Sequence, residues 1–347
     1  IGVDNLTIRD LIIENRGSSY STVVDIQGGS DHVSIINNTI TSINANASSF
    51  NKIGIKSGNS IDQYLVIDSN RILRNSIGIY LTSSSSKRES GNKLRYNVID
   101  DFCYIGIYTT NQDSLQIIGN VIEDRGNRSV VNSIHTQVCY YGSKITDNKI
   151  INHSTSSAYG ILAEVSYSNS SNKSYIYNNS ISLLSSNGGT ARGIGIQSCA
   201  YVKVYHNNIY INTPISSTNG AGIYVKGTSS YKFNEIVNNI VYCENGGYAV
   251  HFDATAASSG VVSVMNNNNL YSNAPNFGFY GSAAVASFAA WKTASSKDTN
   301  STNLNPHYEK DTILAPQALL MNDKGSNVSI ANDLAGVLRS TTKPDIG

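Results

Sequence analysis

A short phrase recurs along this chain and constrains its fold more than any other feature. Each copy has two hydrophobic residues around one spacer, then two spacers, an Asn, one spacer and an Ile, as in Leu65-x-Ile67-x-x-Asn70-x-Ile72. Successive copies of the Asn are 23 to 32 residues apart. Periods of this length are typical of solenoid proteins. The clearest copies carry Asn38, Asn70, Asn97, Asn120, Asn148, Asn179 and Asn207.

A second phrase, Gly followed by Ile, falls between the copies of the first. Ile77-Gly78-Ile79 and Ile105-Gly106-Ile107 are two examples. The hydrophobic residues of both phrases alternate with a period of two, which indicates short β-strands rather than helices. Strands that recur in successive coils pair in parallel at roughly 4.8 Å. The sequence therefore predicts an all-β fold, a right-handed parallel β-helix of about ten coils, with the handedness taken from the bias of parallel crossovers.

The repeated Asn is predicted to occupy one corner of each coil. Asn tolerates left-handed backbone angles, and its amide can hydrogen-bond the Asn above and below it in a ladder. Leu11 stands in the same slot of the first copy, so the ladder is expected to break there. The last two rungs are left open between Asn238 and Asn239 and between Asn267 and Asn268.

Charge and hydrophobicity argue against two classes of partner. The net charge is +1 and the 25 Lys and Arg residues are scattered, so no basic stripe predicts nucleic-acid binding. No apolar run reaches the roughly 18 residues of a membrane-spanning helix. The four Cys fall on different coils without CxxC spacing, which predicts buried free thiols, with a disulfide as the alternative between corners of neighbouring coils.

The two ends of the chain depart from the repeat. Residue 1 already lies inside a coil phrase, so upstream residues are expected in the natural chain. Residues 1–273 are predicted to form the β-helix, and residues 274–347 a short helical and irregular C-terminal capping region. Within the cap, the Ala-rich segment 282–292 predicts a helix that plugs the end of the solenoid with Trp291 as its anchor.

The coil phrases resemble the repeats of right-handed parallel β-helix proteins of the pectate-lyase-like group. The run Phe288-Ala-Ala-Trp291 and the closing Lys343-Pro344-Asp345-Ile346-Gly347 resemble the segment after the helix in cell-surface β-helix proteins of Bacteroidota. In those proteins the Pro-Asp-Ile-Gly motif precedes a sorting or anchoring region. The resemblance implies a secreted or cell-surface location, contact with polysaccharide or another glycan, and secretion or surface-anchoring machinery as a partner. It names no reaction, because one fold hosts many functions.

The residue after the buried Ile of each Gly-Ile phrase is predicted to face outward, so that stacked coils form a column. With the residues two positions further on, this column makes a ribbon of aromatic, amide and hydroxyl groups that suits the apolar faces and hydroxyl rim of a sugar. The alternative is that Tyr and Thr are simply good strand residues on a solvated face. The predicted glycan-binding residues are Tyr80, Tyr108, His135, Glu164, Gln197, Tyr224 and His251.

An acidic pair occupies the same place in two consecutive coils and is the second candidate site. Stacking predicts that Asp100 lies beside Glu123 and that Asp101 lies beside Asp124. Such carboxylates can bind Ca²⁺, for which Asp100 and Glu123 are the candidate ligands, or can serve in acid–base chemistry. The alternative is that arginines of the loop 125–131 pair with the acids. Ca²⁺ is the one cofactor that the sequence suggests.

Two functions from different classes follow from these sites. The first is a non-catalytic, secreted or cell-surface β-helix that binds glycan or acts as an adhesive or structural stalk. The alternative is a polysaccharide lyase or glycoside hydrolase, with Asp101, Asp124 and His135 as candidate catalytic residues. The Asn-Thr-Asp and Gly-His-Gly signatures of polygalacturonase-like enzymes and the calcium and Arg motifs of pectate lyases are not recognisable, which favours the first function.

Overall fold

A computed structural model of the chain describes residues 2–17, 20–43, 51–58, 60–84, 86–124, 132–154, 158–184, 189–214 and 220–347. The described strands form three sheets of ten, twelve and ten members. Apart from one antiparallel pair at the C-terminal end, neighbouring strands are parallel, and the chain makes about nine turns of a β-solenoid. The parallel β-helix predicted from the repeats is confirmed.

Each coil contributes one strand to each of the three sheets, and two short helices follow near the C-terminal end. In chain order the strands are β1 (Thr7–Arg9), β2 (Ile12–Asn15), β3 (Ser21–Ile26), β4 (Ser34–Ile36), β5 (Thr39–Ser42), β6 (Lys52–Ser57), β7 (Val66–Asp68), β8 (Arg71–Leu73), β9 (Ile77–Thr82), β10 (Glu89–Ser90), β11 (Lys93–Arg95), β12 (Val98–Asp100), β13 (Ile105–Asp113), β14 (Gln116–Ile118), β15 (Val121–Glu123), β16 (Asn132–Tyr140), β17 (Lys144–Thr146), β18 (Lys149–Asn152), β19 (Ala158–Tyr167), β20 (Ser174–Tyr177), β21 (Ser180–Leu183), β22 (Ala191–Ala200), β23 (Val202–Tyr205), β24 (Asn208–Ile211), β25 (Ala221–Lys226), β26 (Asn234–Val237), β27 (Ile240–Cys243), β28 (Tyr248–Asp253), β29 (Val262–Asn266), β30 (Asn269–Ser272), β31 (Gly278–Gly281) and β32 (Ala283–Val285). The helices are α1 (Ala254–Ser259), α2 (Phe288–Ser295) and a 3-10 turn at Leu319–Met321.

The strands are distributed regularly among the sheets. Sheet A contains β1, β4, β7, β11, β14, β17, β20, β23, β26 and β29. Sheet B contains β2, β5, β8, β12, β15, β18, β21, β24, β27 and β30. Sheet C contains β3, β6, β9, β13, β16, β19, β22, β25, β28, β31 and β32, with β10 paired to β13.

Columns of aliphatic side chains fill the space between the three sheets. In sheet A, for example, Ile67, Leu94 and Ile117 are register partners in consecutive strands, and all three are fully buried. Burial of each such side chain contributes about 1.5–3 kcal/mol to folding. The hydrophobic residues of the repeats therefore point into one continuous core, and the residues between them point to the outer surface.

The Gly of the Gly-Ile phrase is required by close packing at the start of the sheet C strands. A Cβ atom added at Gly106 would lie 2.6 Å from the Ser133 carbonyl oxygen and 2.7 Å from Cγ2 of Ile122. A Cβ atom at Gly78 would meet the Gly106 oxygen and Cγ2 of Ile99, both at 2.6 Å. A side chain at these positions would collide with the backbone of the next coil and with a core Ile. Gly is therefore needed where the two coils approach each other closely.

The predicted Asn ladder is present and runs through nine coils. Each amide nitrogen donates to the side-chain oxygen of the next Asn at 2.9–3.0 Å. Asn239 and Asn268 carry the last two rungs, which resolves the two open alternatives. At the first coil Leu11 has only its backbone N–H to donate to Asn38, at 3.1 Å, so the ladder begins one coil later as predicted. The rungs are Asn38, Asn70, Asn97, Asn120, Asn148, Asn179, Asn207, Asn239 and Asn268.

The conformational reason given for the ladder residue was wrong. The left-handed backbone lies at the residue before each rung, for example Ser69 with φ 57° and Asn238 with φ 60°. The rungs themselves, such as Asn70 and Asn239, do not have positive φ. Asn is therefore selected at the rung for its amide, which satisfies buried backbone groups of two coils, and not for its backbone conformation.

The C-terminal end of the ladder is closed by α2. The predicted helix exists, although it begins at Phe288, because Ala283–Val285 forms the antiparallel strand β32. Trp291 is completely buried, as predicted for the anchor, and its indole N–H donates to Asp298 at 2.8 Å. The other oxygen of Asp298 accepts from the last rung, Asn268, at 3.1 Å. One buried carboxylate thus joins the capping helix to the ladder.

The segment after α2 lies along the side of the solenoid as well as at its end. Asn267 donates to the carbonyl oxygen of Lys324 at 2.8 Å, and Asn178, three coils back, donates to that of Asn332 at 2.9 Å. A cavity of about 660 Å³ lies under this segment, against sheet B and the corner residues that precede its strands, and is lined in part by Leu338. The division of the chain at residue 273 stays a prediction, and sheet C continues beyond it through β31.

The described cysteines and helices bear on two further expectations. All four Cys are buried free thiols, as predicted, and burial raises the pKa of Cys139, Cys199 and Cys243 to about 12. Such thiols are poor nucleophiles because the thiolate is the reactive form. In the described part of the chain, no helix has both the length and the apolar character needed to cross a bilayer.

Two carboxyl groups lie inside the solenoid near β10. Asp62 and Glu89 have no solvent-exposed surface. Gln112 and Asn92 donate to Oε2 of Glu89 at 2.8 and 3.1 Å, and no described cation pairs with this carboxyl group. Burial, together with the nearby charge of Asp62, raises the pKa of Glu89 from 4.5 to about 7.

The buried Glu89 predicts a pH-dependent stability. Because its folded pKa exceeds its unfolded pKa, the native state holds the proton more tightly, so the contribution of Glu89 to stability is greatest below pH 4.5 and is lost as the pH rises to about 7. The loss across this window is about 3 kcal/mol. Glu89→Gln, which keeps the shape without the charge, is expected to flatten the pH dependence of urea unfolding and to raise stability by about 2–3 kcal/mol near pH 8. Glu309→Gln, at an exposed position, is the control; an unchanged slope in the Glu89 variant would contradict the assignment.

Candidate functional site

The outer face of sheet C carries a row of side chains at one register position, here called the aromatic row. It brings together five of the predicted glycan-binding residues. In chain order the row is Lys56, Tyr80, Tyr108, His135, Leu162, Gly195, Tyr224, His251 and Phe279. Parallel pairing repeats the row at the roughly 4.8 Å spacing of strands, so adjacent rings are within stacking distance.

Gln197 does not lie in the aromatic row, and its predicted column was wrong. Its register partners are Glu164 and Lys226, so it belongs to the companion row two residues further along each strand. The cause is a doubled phrase, Gly193-Ile194-Gly195-Ile196, in which either Gly could begin the strand. The structure uses Gly193, whose added Cβ would lie 2.6 Å from the Gly222 carbonyl oxygen, and Gly195 therefore falls in the aromatic row.

The N-terminal half of the row is a connected hydrogen-bonding network. Tyr80 and Tyr108 stack with ring centroids 5.4 Å apart, and His135 meets the Tyr108 ring edge-on at 5.1 Å. The Tyr108 hydroxyl donates to Gln137 at 2.9 Å, and Gln137 in turn donates to Glu164 at 3.1 Å. Nε2 of His135 lies 3.1 Å from the same Glu164 oxygen. The face thus offers stacked rings beside fixed amide and carboxylate groups.

The protonation of His135 follows from its surroundings. Burial lowers the pKa of the imidazole, and the hydrogen bond to Glu164 opposes that effect only in part. The amide of Asn132 lies 3.3 Å from Nδ1, so Nδ1 accepts from it and Nε2 carries the proton that is donated to Glu164. Burial also raises the pKa of Tyr108. The imidazole is therefore neutral and both of its nitrogens are in use.

Beside the C-terminal half of the row, an Arg lies between two Tyr rings. Cζ of Arg192 lies 3.7 Å from the centroid of the Tyr224 ring and 5.3 Å from that of Tyr159. The hydroxyl of Tyr159 accepts hydrogen bonds from Nη1 of Arg192 and, at 3.0 Å, from Gln197. His251 meets Tyr224 edge-on at 5.0 Å. Cation–π contacts of this kind hold the guanidinium in a fixed plane.

Sequence reasoning missed Tyr159, Arg192 and Asn132, which precede the Gly or Ser of the Gly-Ile phrase. In other coils this position holds Ile77 or Ile105, which pack outside the main core beneath Tyr80 and Tyr108. The position therefore faces outward, although simple alternation from the buried Ile places it inward. The available signal was the replacement of Ile by Asn, Tyr and Arg at the same place in successive coils.

The acidic pair is partly as predicted. Asp100 and Glu123 are register partners in sheet B, and the Asp101 N–H donates to the Glu123 carbonyl oxygen at 3.1 Å. Asp100 and Asp124 are buried, and Asp124 accepts from the backbone of His153 at 2.7 Å. The loop arginines, Arg125 and Arg128, lie outside the described residues.

The structure distributes the candidate catalytic and metal-binding residues over two places. Asp101 and Asp124 follow strands of sheet B, whereas His135 lies on sheet C. Among the described residues there is no group of three His, Cys, Asp or Glu side chains that could hold a metal ion. Ca²⁺ takes six to eight oxygen ligands, which Asp100 and Glu123 alone do not supply. The hydrogen-bonded ring cluster of the aromatic row is therefore the stronger candidate site.

The fold is a parallel β-solenoid, and the outer face of its sheet C carries aromatic and hydrogen-bonding side chains. Two solved structures of the Streptococcus pneumoniae surface protein and adhesin PfbA are similar to the chain, one at 12% identity with a TM-score of 0.41 and one at 14% with 0.38. They align with 80% and 79% of this chain, which spans 66% and 61% of theirs. HetL, a pentapeptide repeat protein of Nostoc, matches at 6% identity over 80% of this chain and 84% of its own, with a TM-score of 0.18. No family model and no curated protein matches the sequence.

Proposed function

We propose that this chain is a secreted or cell-surface β-helix that binds glycan along the outer face of sheet C, as an adhesive or structural stalk. The observation that carries the proposal is the aromatic row, whose rings contact one another in neighbouring coils and lie beside hydrogen-bonded amide and carboxylate groups on the same face of sheet C. Sugars are matched by such surfaces because C–H faces stack on rings while hydroxyls bond to the amides and carboxylates beside them.

Solvation alone does not account for the details of this face. A merely solvated strand face needs no contacts between its side chains. Here Tyr108, Gln137 and Glu164 form a chain of hydrogen bonds across three coils, and Arg192 is held between two rings. Groups that are fixed before a ligand arrives lose less conformational entropy on binding. The arrangement supports recognition of an extended ligand.

Binding rather than cleavage is proposed because of the state of His135. A general base needs a free lone pair within reach of the substrate, and both ring nitrogens of His135 are already hydrogen-bonded. The alternative, a polysaccharide lyase or glycoside hydrolase, is favoured by one observation, the Tyr108, His135 and Glu164 cluster itself. In that alternative the network would have to rearrange when substrate binds.

Tyr108→Ala is expected to weaken glycan binding by about tenfold, equivalent to ~1.4 kcal/mol, because it removes the ring between Tyr80 and His135 and the bond to Gln137. Binding is measured by affinity electrophoresis and calorimetry with a panel of neutral and acidic polysaccharides. Tyr177→Ala is the matched control, since Tyr177 is also a partly buried strand Tyr but lies on sheet A.

Two results would contradict the proposal. If the Tyr108 and Tyr177 variants had equal affinity for every polysaccharide that the wild type binds, the outer face of sheet C would not be the binding surface. Release of soluble fragments by the wild-type protein, detected by mass spectrometry, would establish catalysis instead. Unsaturated fragments, lighter by one water, would identify a lyase, and saturated ones a hydrolase.

A further inference from the structure

Among the described residues, Arg192 is a cation without an ionic partner. Within the described ranges, no Asp or Glu forms an ion pair with it. Its Nη1 donates to the Tyr159 hydroxyl, while its buried Nε bonds to no other described group. A partly buried guanidinium with unused donors is electrostatically costly, and an anion relieves that cost.

Two acids on the same sheet as this cation, Glu164 and Asp253, make hydrogen bonds to other groups. Glu164, the register partner of Gln197, accepts from His135 and Gln137 of the preceding coil. Asp253 accepts from Thr255 and from the backbone of Ala256 at 2.8 Å each, and so caps α1. Neither carboxylate neutralises Arg192, so the cationic charge remains available on the outer face.

The groups around Arg192 are mostly donors or cations. Gln197 lies next to Lys226 in register, and Lys226 is exposed and has no described ion-pair partner. The Tyr159 hydroxyl already accepts two hydrogen bonds, so its own proton is available to a ligand. Burial, and next the charge of Arg192, lowers the pKa of His251 to about 4, so the imidazole is neutral at physiological pH.

We infer that Tyr159, Arg192 and Tyr224, with Lys226 beside them, form a subsite for the anionic group of an acidic saccharide, either a uronic acid carboxylate or a sulfate ester. The inference rests on the proposed function and specifies its ligand class. The guanidinium N–H groups that Tyr159 does not use can donate to the oxygens of either anion, and the ring of Tyr224, 3.7 Å from Cζ, lies beside the sugar that carries it.

Arg192→Gln, which removes the charge and keeps a polar side chain, tests this subsite. The probes are a uronic acid oligosaccharide, the same oligosaccharide with its carboxyl groups reduced to alcohols, and a sulfated oligosaccharide. We expect the variant to lose at least about tenfold in affinity for an anionic probe and clearly less in affinity for the neutral probe. Arg192→Lys, which keeps charge without the planar fork, should lose less. The anionic probe that is affected identifies the group.

Arg88→Gln is the matched control, because Arg88 also stacks on a Tyr ring, Tyr140, with Cζ 4.2 Å from the centroid. A similar loss in this control would overturn the subsite and indicate general charge attraction. Unchanged binding of both anionic probes by Arg192→Gln, or an equal loss for the neutral and anionic probes, would also overturn it. These results leave the glycan-binding proposal intact, whereas a wild-type protein that binds none of the probes or polysaccharides would overturn both.

Discussion

Trp291→Ala is expected to lower the free energy of unfolding by about 3–5 kcal/mol, the range for removing a large buried aromatic side chain. Trp291 is fully buried against Phe252 and Tyr280, with ring centroids 5.4 and 5.8 Å away. The substitution also leaves Asp298 without the indole N–H, so a buried carboxyl group loses a donor. The effect is measured by urea unfolding followed by circular dichroism.

Two further variants separate packing from hydrogen bonding at this cap. Trp291→Phe keeps most of the ring volume but removes the donor to Asp298, so about 1–3 kcal/mol of the loss is expected to remain. Phe288→Ala, on the same helix, removes a partly exposed ring and should cost only about 1 kcal/mol. A loss as large in the Phe288 variant would mean that any damage to α2 exposes the end of the core and that Trp291 has no special role.

Asn120→Ala is expected to cost about 3–5 kcal/mol, because the loss of one amide leaves several buried groups without partners. Oδ1 of Asn120 accepts from the backbone and side chain of Asn97, both at 3.0 Å. Its Nδ2 donates to the carbonyl oxygen of Leu94 at 2.9 Å and to Asn148 at 3.0 Å. No water can readily replace these bonds inside a packed ladder. Thermal and urea unfolding measure the loss.

Asn245→Ala provides the matched control for the ladder. Asn245 also bonds to an Asn of the neighbouring coil, Asn212, but at an exposed position, so its loss should cost less than about 0.5 kcal/mol. Asn120→Asp keeps the shape and replaces the donor by an acceptor that faces two oxygens. It should be destabilising at neutral pH and partly recover in acid, where the carboxyl group can donate. Equal stability of the two Ala variants would show that the ladder contributes little.

The coil architecture was readable from the sequence because its signals are local. The Ile and Val alternation marks the strand before each Asn and the strand at each Gly-Ile phrase, and one Asn position marks each corner, so parallel stacking of coils follows without knowledge of the loops. The choice between Asn238 and Asn239 could not be made in this way, since both are polar and adjacent. The fold decides it by backbone conformation, because the first residue takes the left-handed backbone and only the second points its amide along the ladder.

The candidate site was only partly readable. Tyr80 and Tyr108 were placed correctly because each follows an unambiguous Gly-Ile phrase, and His135 because Ser133-Ile134 occupies the same place in its coil. The neighbours of Gln197 were misplaced because Gly193 and Gly195 offer two registers that differ by two residues and keep the same face. The outward position of Tyr159 was hidden by the irregular backbone at the Gly, where alternation does not hold.

The sequence by itself determined the solenoid and the amide ladder, because these depend on short repeats whose meaning is the same in every coil, and it also indicated the anchoring Trp. The third strand of each coil was given only by the structure. The tertiary structure alone decided which outer side chains become neighbours. Loops of unequal length separate the strands, so spacing along the chain does not give register. Register is fixed by burial of the core and by close contact at Gly193, and these place Arg192 between Tyr159 and Tyr224, without an acidic partner among the described residues.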